Sequence, residues 1–316
     1  MRAPPPPPTD PCLRRCGVLA TGARRLGIAL LGLALAGAAA AGTPDADALR
    51  ARHDALATEL ASNAFQRPIF LKSAQGPSDL KGEIYAVVEH PFKAVDVALR
   101  TADRWCDVLI LPFNVKQCRA KVLASGQKLE LAIGRKHDQP VDEAHRVMFD
   151  YTLAAEQPDY LKVQLAADEG PLGTRDYRIV FEATPLDGRR TFLHMAYSYG
   201  YGFAAQLAMQ GYLSTAGRNK VGFSVVDHRP DGRPVYVGSM RGVVERNTMR
   251  YYLAIDAYLD SLSTPAEQRV ERRLRDWFSA TERYPLQLHE ISQDEYLAMK
   301  RREIERQDTP VQAKAG

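Results

Sequence analysis

Between residues 117 and 201, apolar and polar positions alternate with a period of two in six successive stretches: Gln117–Ala124, Lys128–Arg135, His145–Ala155, Tyr160–Ala167, Asp176–Thr184 and Arg190–Tyr201. That period puts successive side chains on opposite faces of a strand. Val147, Phe149 and Tyr151, then Leu161, Val163 and Leu165, then Tyr177, Ile179 and Phe181 share one face, while Arg146, Asp150, Lys162, Gln164, Arg178 and Glu182 take the other. One face of the sheet is therefore expected to be wet. The links between the stretches are short and turn-rich, as at Ser125-Gly126, Asp168–Gly173 and Asp187-Gly188. They leave no room for crossover helices, so the pattern predicts an antiparallel meander and excludes a doubly wound parallel sheet.

Upstream, Arg67–Ser73 reads as an edge strand and Lys81–His90 as a strand buried mainly on one face. Pro91 then opens a helical stretch whose break near Thr101–Asp103 predicts two consecutive helices. Asp45–Ala61 predicts a short amphipathic helix. Downstream, Phe203–Thr215 reads as a short helix or lid, followed by a hairpin of Lys220–Val226 and Pro234–Val237. A proline-free run, Gly238–Leu262, comes next. On it Met240, Val244, Asn247, Thr248, Tyr251, Ile255, Tyr258 and Leu262 form one stripe of an amphipathic helix. An amide and two phenols on a buried stripe each require a protein partner or a polar ligand atom. In the tail, Thr264–Glu267 and Ser292–Glu295 have the form of capping boxes that start helices.

A strand, two helices, a six-stranded antiparallel meander and a long closing helix resemble the element order of the START-like, helix-grip (SRPBCC) superfamily, over residues 81–262. The resemblance implies an α+β fold, with a curved sheet of six or seven strands wrapped around the long helix and a cavity for a hydrophobic or amphipathic, lipid-like small molecule. It carries no catalytic motif to match, and the first reading, a binding protein, needs no cofactor. The resulting division is a signal peptide at 1–42, an N-terminal helix and edge strand at 43–80, the helix-grip domain at 81–262 and a helical extension at 263–316.

Candidate chemistry gathers at the end of the last strand. Tyr197, Tyr199 and Tyr201 share a face with Leu193 and Met195, so these phenols can meet Tyr251 and Tyr258 of the helix. Tyrosine suits a pocket for an amphiphile, offering apolar area with one hydroxyl. Tyr151 shares the inward parity, as does His145; for the histidine the alternatives are a satisfied core residue and a general base. Arg241 and Arg250 flank the helix stripe, where a guanidinium can meet a ligand carboxylate or phosphate or serve structure alone. The ligand candidates are thus Tyr151, Tyr197, Tyr199, Arg241, Tyr251, Tyr258 and His145, with Asn247 expected to bond protein. Ser198 sits in a loose nucleophile-elbow pattern, but that motif needs a parallel sheet. No metal-ligand spacing occurs.

Composition adds compartment rather than chemistry. With 42 basic and 38 acidic residues the chain is only mildly basic, which gives no electrostatic case for nucleic acid. Arg24 and Arg25 precede the apolar Leu26–Ala41, a pattern of export that predicts a periplasmic or secreted protein. Cys106 and Cys118 then remain in the mature chain and are expected to form a disulfide. Arg269, Arg272, Arg273 and Arg275 make a tail helix basic, compatible with peripheral contact to anionic lipid or with an ordinary solvated face. Three readings stay open at this level: a small-molecule carrier, a cyclase- or hydrolase-like enzyme of the same fold, and a structural protein whose cavity is filled by its own side chains.

Overall fold

Two-residue periodicity becomes β3 (Val115–Leu123), β4 (Gly126–Ile133), β5 (His145–Gln157), β6 (Tyr160–Glu169), β7 (Thr174–Pro185) and β8 (Thr191–Tyr201), preceded by β1 (Ile69–Gln75) and β2 (Asp79–Val88). The computed structural model describes residues 42–203, 205–207, 211 and 220–308. The expected export segment lies outside the described residues except for Gly42, and so does much of the expected lid at 203–215. The sheet is antiparallel throughout, in the order β1-β2-β8-β7-β6-β5-β4-β3. It has eight strands rather than six or seven, because β1 pairs with β2 from Ile69↔Ala86 to Gln75↔Leu80. A small separate hairpin, β9 (Val225–His228) and β10 (Pro234–Tyr236), follows.

The stretch after Pro91 forms α3 (Phe92–Leu99) and α4 (Ala102–Leu109), broken at the expected place. Trp105 secures the break: its indole N–H donates to Leu99 O at 2.8 Å, and its ring meets Phe181 edge-on. Cys106 on α4 and Cys118 on β3 are joined by a disulfide.

The long helix, α5 (Ser239–Ser261), lies across β1, β2 and β8 on the inner face. Gly82 on β2 is the point of closest approach, since a Cβ there would sit 2.1 Å from Thr248 Oγ1. The helix is not amphipathic in the expected sense. Met249, Leu253 and Ala254, as well as Glu245, Arg246 and Arg250, are buried along with the stripe. The reason is that α6 (Arg269–Glu282) packs along it and α7 (Pro285–Leu288) touches it, while α8 (Gln293–Asp308) closes against β3 and α6. The Ser292 box forms as expected, with Ser292 and Glu295 exchanging side-chain to backbone hydrogen bonds. The Thr264 box does not: a tight turn at Ala266–Gln268 intervenes and the helix starts at Arg269.

The outer face is wet only in part. The β5 burial pattern alternates as predicted, but α1 (Pro44–Ala55) and α2 (Ala57–Ala61) cover the other end of the sheet. There Leu49, Leu56 and Leu60 pack with Tyr85, Tyr160 and Phe192.

Candidate functional site

Between the inner faces of β4 to β8, the end of α4 and the first half of α5 lies a cavity of about 160 Å³. Its lining mixes two kinds of side chain. Leu109, Leu131, Phe149, Leu165 and Ile179 supply aliphatic and aromatic carbon. Tyr177, Tyr197, Tyr199 and Tyr251 supply phenols, together with the amide of Asn247. Period-two parity brings Tyr197 and Tyr199 of β8 to the same face as Tyr177 of β7, and the helix lowers Tyr251 onto them. Tyr177 and Tyr199 stack with centroids 5.3 Å apart, and Tyr197 meets Tyr251 at 5.3 Å.

Burial pushes all four phenols above their ordinary pKa, so they are neutral hydroxyls at physiological pH. Asn247 is the side-chain hydrogen-bond partner of Tyr197. Tyr177 shares a 2.8 Å hydrogen bond with Thr174, which in turn donates to Pro171 O at 2.5 Å and so ties the cavity lip to its wall. On that lip Leu172 adopts left-handed backbone angles, φ 57° and ψ 28°, with its side chain 72% exposed. Such a conformation costs a β-carbon-bearing residue about 1–2 kcal/mol and recurs at ligand clamps. Among the described residues, none that lines this cavity carries a charge.

Neither a family model nor a curated protein matches the sequence. Among solved structures, the chain is similar to truncated norcoclaurine synthase from Thalictrum flavum, at 14% identity and TM-score 0.32, covering 46% of this chain and 90% of that one. It is similar to a START superfamily protein from Mycobacterium smegmatis, at 12% identity and TM-score 0.29, covering 45% and 96%. It is also similar to a conserved protein of unknown function from Enterococcus faecalis, at 10% identity and TM-score 0.29, covering 75% and 89%. Likeness at this level carries nothing about ligand or reaction. What decides the fold is the pairing within this chain: two helices follow β2, a six-stranded meander returns to pair beside β2, and a long helix closes the inner face. The chain has the START-like, helix-grip fold.

Three of the seven candidates meet in this cavity: Tyr197, Tyr199 and Tyr251. The other four lie elsewhere. Tyr258 is on the second half of α5, two turns beyond Tyr251, where its hydroxyl donates to Ala98 O at 3.3 Å and Arg273 sits 4.7 Å over its ring. Tyr151 is buried, but its phenol lies toward Asp103 and Glu156, outside the cavity lining. Arg241 donates from Nε to Ser73 Oγ at 3.1 Å and lies 3.8 Å from Glu245, serving the contact between helix and edge strand. His145 corrects the inward expectation: it is exposed at the first position of β5, and although its cross-strand partner Ile133 lines the cavity, His145 itself does not.

Tyr177 was legible only as an apolar-parity position, and Asn114 not at all, since it sits in the link between α4 and β3 where no periodicity marks it. The basic tail is engaged rather than displayed. Arg272 pairs with Asp276, Arg273 with Asp107, Arg275 with Glu271, and Arg269 donates to the carbonyls of Thr264 and Leu262. No helix among the described residues is long and apolar enough to cross a membrane. No cluster of metal-ligating side chains occurs among them.

Proposed function

We propose that the protein is an exported carrier that holds a hydrophobic or amphipathic small molecule in the cavity under Tyr197, Tyr199 and Tyr251. The carrying observation is the lining itself: a space between sheet and helix in which apolar carbon is interrupted by phenols and amides and, among the described residues, by no charged group. That is the composition of a site that recognises by shape and a few hydrogen bonds. Acid–base turnover has less support, because the described lining residues include no group that ionises near neutral pH and His145 stands outside. Residence in the periplasm or outside the cell is supported by the sequence of residues 24–41 and by the Cys106–Cys118 pair.

Native mass spectrometry of protein purified from its own host tests the reading. The expected result is a bound small molecule that is released on denaturation, with occupancy reduced in Tyr251→Phe. A uniformly ligand-free mass, together with no binding in a small-molecule screen, would overturn it.

A further inference from the structure

We infer that the ligand this cavity accepts is uncharged, about the size of a single substituted ring, and bears a hydrogen-bond-accepting oxygen; long acyl chains and anions are excluded. The inference rests on the reading of the cavity as the binding site and adds the chemistry of the occupant. Size comes first. At about 160 Å³ the space falls below the roughly 300–1,000 Å³ of drug-sized pockets and matches the roughly 150 Å³ that holds one benzene ring. A twelve-carbon chain does not fit without displacing Phe149, Leu165 or Ile179, which are themselves core residues of the sheet.

Charge comes second. A buried ion needs a counter-ion or several hydrogen bonds, and the nearest cations on α5 are held by other groups: Arg250 by Glu290 at 2.5 Å, Arg246 by Val221 O at 3.2 Å. Neither lines the cavity. Hydrogen-bond polarity comes third. Tyr197 and Asn247 bond each other, which leaves the neutral hydroxyls of Tyr199 and Tyr251 able to donate to an accepting oxygen, while Leu131, Phe149 and Leu165 in the same lining suit bare carbon.

Ligand-observed NMR titration of the exported protein with acetophenone, benzoate and dodecanoate tests this. Acetophenone is expected to bind at least ten-fold more tightly than either anion, and Tyr251→Phe to weaken it about two- to ten-fold with an unchanged melting temperature. Tyr199→Phe serves as the second variant if Tyr251→Phe does not fold. Tighter binding of dodecanoate or benzoate, competed from the cavity, overturns the inference while leaving the cavity a ligand site. Acetophenone binding that neither tyrosine variant alters also overturns it, since the contact would lie elsewhere. If none of the three binds, the inference fails, and native mass spectrometry of host-purified protein then decides separately whether the cavity reading stands.

Discussion

Two buried regions of this molecule treat polar atoms in opposite ways. In the cavity, phenols and amides stand around a space that no charged side chain among the described residues lines. In the seam where α8 closes on β3, charges are buried with their partners. Lys116 Nζ donates to Glu303 at 3.0 Å and to the carbonyls of Phe113 and His137, both at 2.9 Å. Lys300 Nζ donates to Glu303 at 2.7 Å and to Val115 O at 2.8 Å, and all three ionic side chains are fully buried. Burial lowers the Lys300 pKa to about 8, as expected where two ammoniums share one carboxylate. The difference teaches how to read a buried polar group: where protein partners saturate it, it assembles the fold, and where it faces space, it is kept for something else.

The seam should therefore break hardest. Glu303→Gln leaves two buried ammoniums without their counter-charge, and urea denaturation is expected to show a loss of about 3–5 kcal/mol. A loss below about 1 kcal/mol would mean that water reaches the seam and that the contrast with the cavity is one of degree.

Next in size is the disulfide between α4 and β3. Closing a loop of this length stabilises by about 3 kcal/mol in the chain-entropy picture, so Cys106→Ala with Cys118→Ala should lower stability by that order. The link it closes carries Leu109 and Asn114, which line the cavity, so the double variant should also loosen ligand binding, whereas Glu303→Gln should spare it. Thiol titration under denaturing, non-reducing conditions of protein isolated from an oxidising compartment should find no free thiol at Cys106 or Cys118.

Sequence periodicity carried the framework well because a strand and a helix bury different spacings. The meander, the α3–α4 break and the Ser292 box were all visible as local patterns. What stayed hidden was non-local. Glu245 and Asp256 lie on α5 outside its predicted apolar stripe, yet both are buried: Glu245 accepts hydrogen bonds from Ser73, Phe223 and Ser224, and Asp256 pairs with Arg67 at 2.8 Å. Those partners come from distant segments that no local window contains. For His145 the parity was right and the depth was not, because parity names a face but not how deeply each position on it is buried. Tyr258 failed similarly: the stripe gave its side of α5, not the turn at which the cavity stops.

Tyr251 and Tyr258 now supply a finer comparison on one helix. Tyr258→Phe removes the buried donor to Ala98 O and is expected to cost about 1 kcal/mol of stability without altering binding in the cavity. Tyr251→Phe should do the reverse, weakening the cavity ligand by about 0.5–1.5 kcal/mol and leaving the melting curve in place. Loss of stability with unchanged affinity in Tyr251→Phe would remove it from the site.

The smallest expected effect belongs to a third cluster, charged like the seam but close to solvent. On the outer face His194 Nδ1 lies 2.7 Å from Glu182 and Nε2 lies 3.1 Å from Glu83, with its ring stacked 4.3 Å from Tyr85. Lys72 and Lys81 face Glu83, Lys162 and Tyr160 face Glu182, and Arg52 of α1 lies over Tyr85. Burial pulls the imidazole pKa down, but the two carboxylates outweigh it and the net shift is upward. Burial raises Glu182, and its bonds to His194 and Tyr160 bring it down to about 2; the His194 bond holds Glu83 below the usual carboxylate range. A raised histidine contributes stability that is complete below its unfolded pKa of about 6.5 and is lost as pH rises through the folded value. Lowered carboxylates contribute stability that is complete above about 4.5 and is lost as pH falls. The cluster therefore contributes most between about pH 4.5 and 6.5, by about 1 kcal/mol or less once solvent screening is counted. Melting temperature followed from pH 5 to 9 should fall more in the wild type than in His194→Gln, and parallel curves would show that the imidazole is neutral throughout.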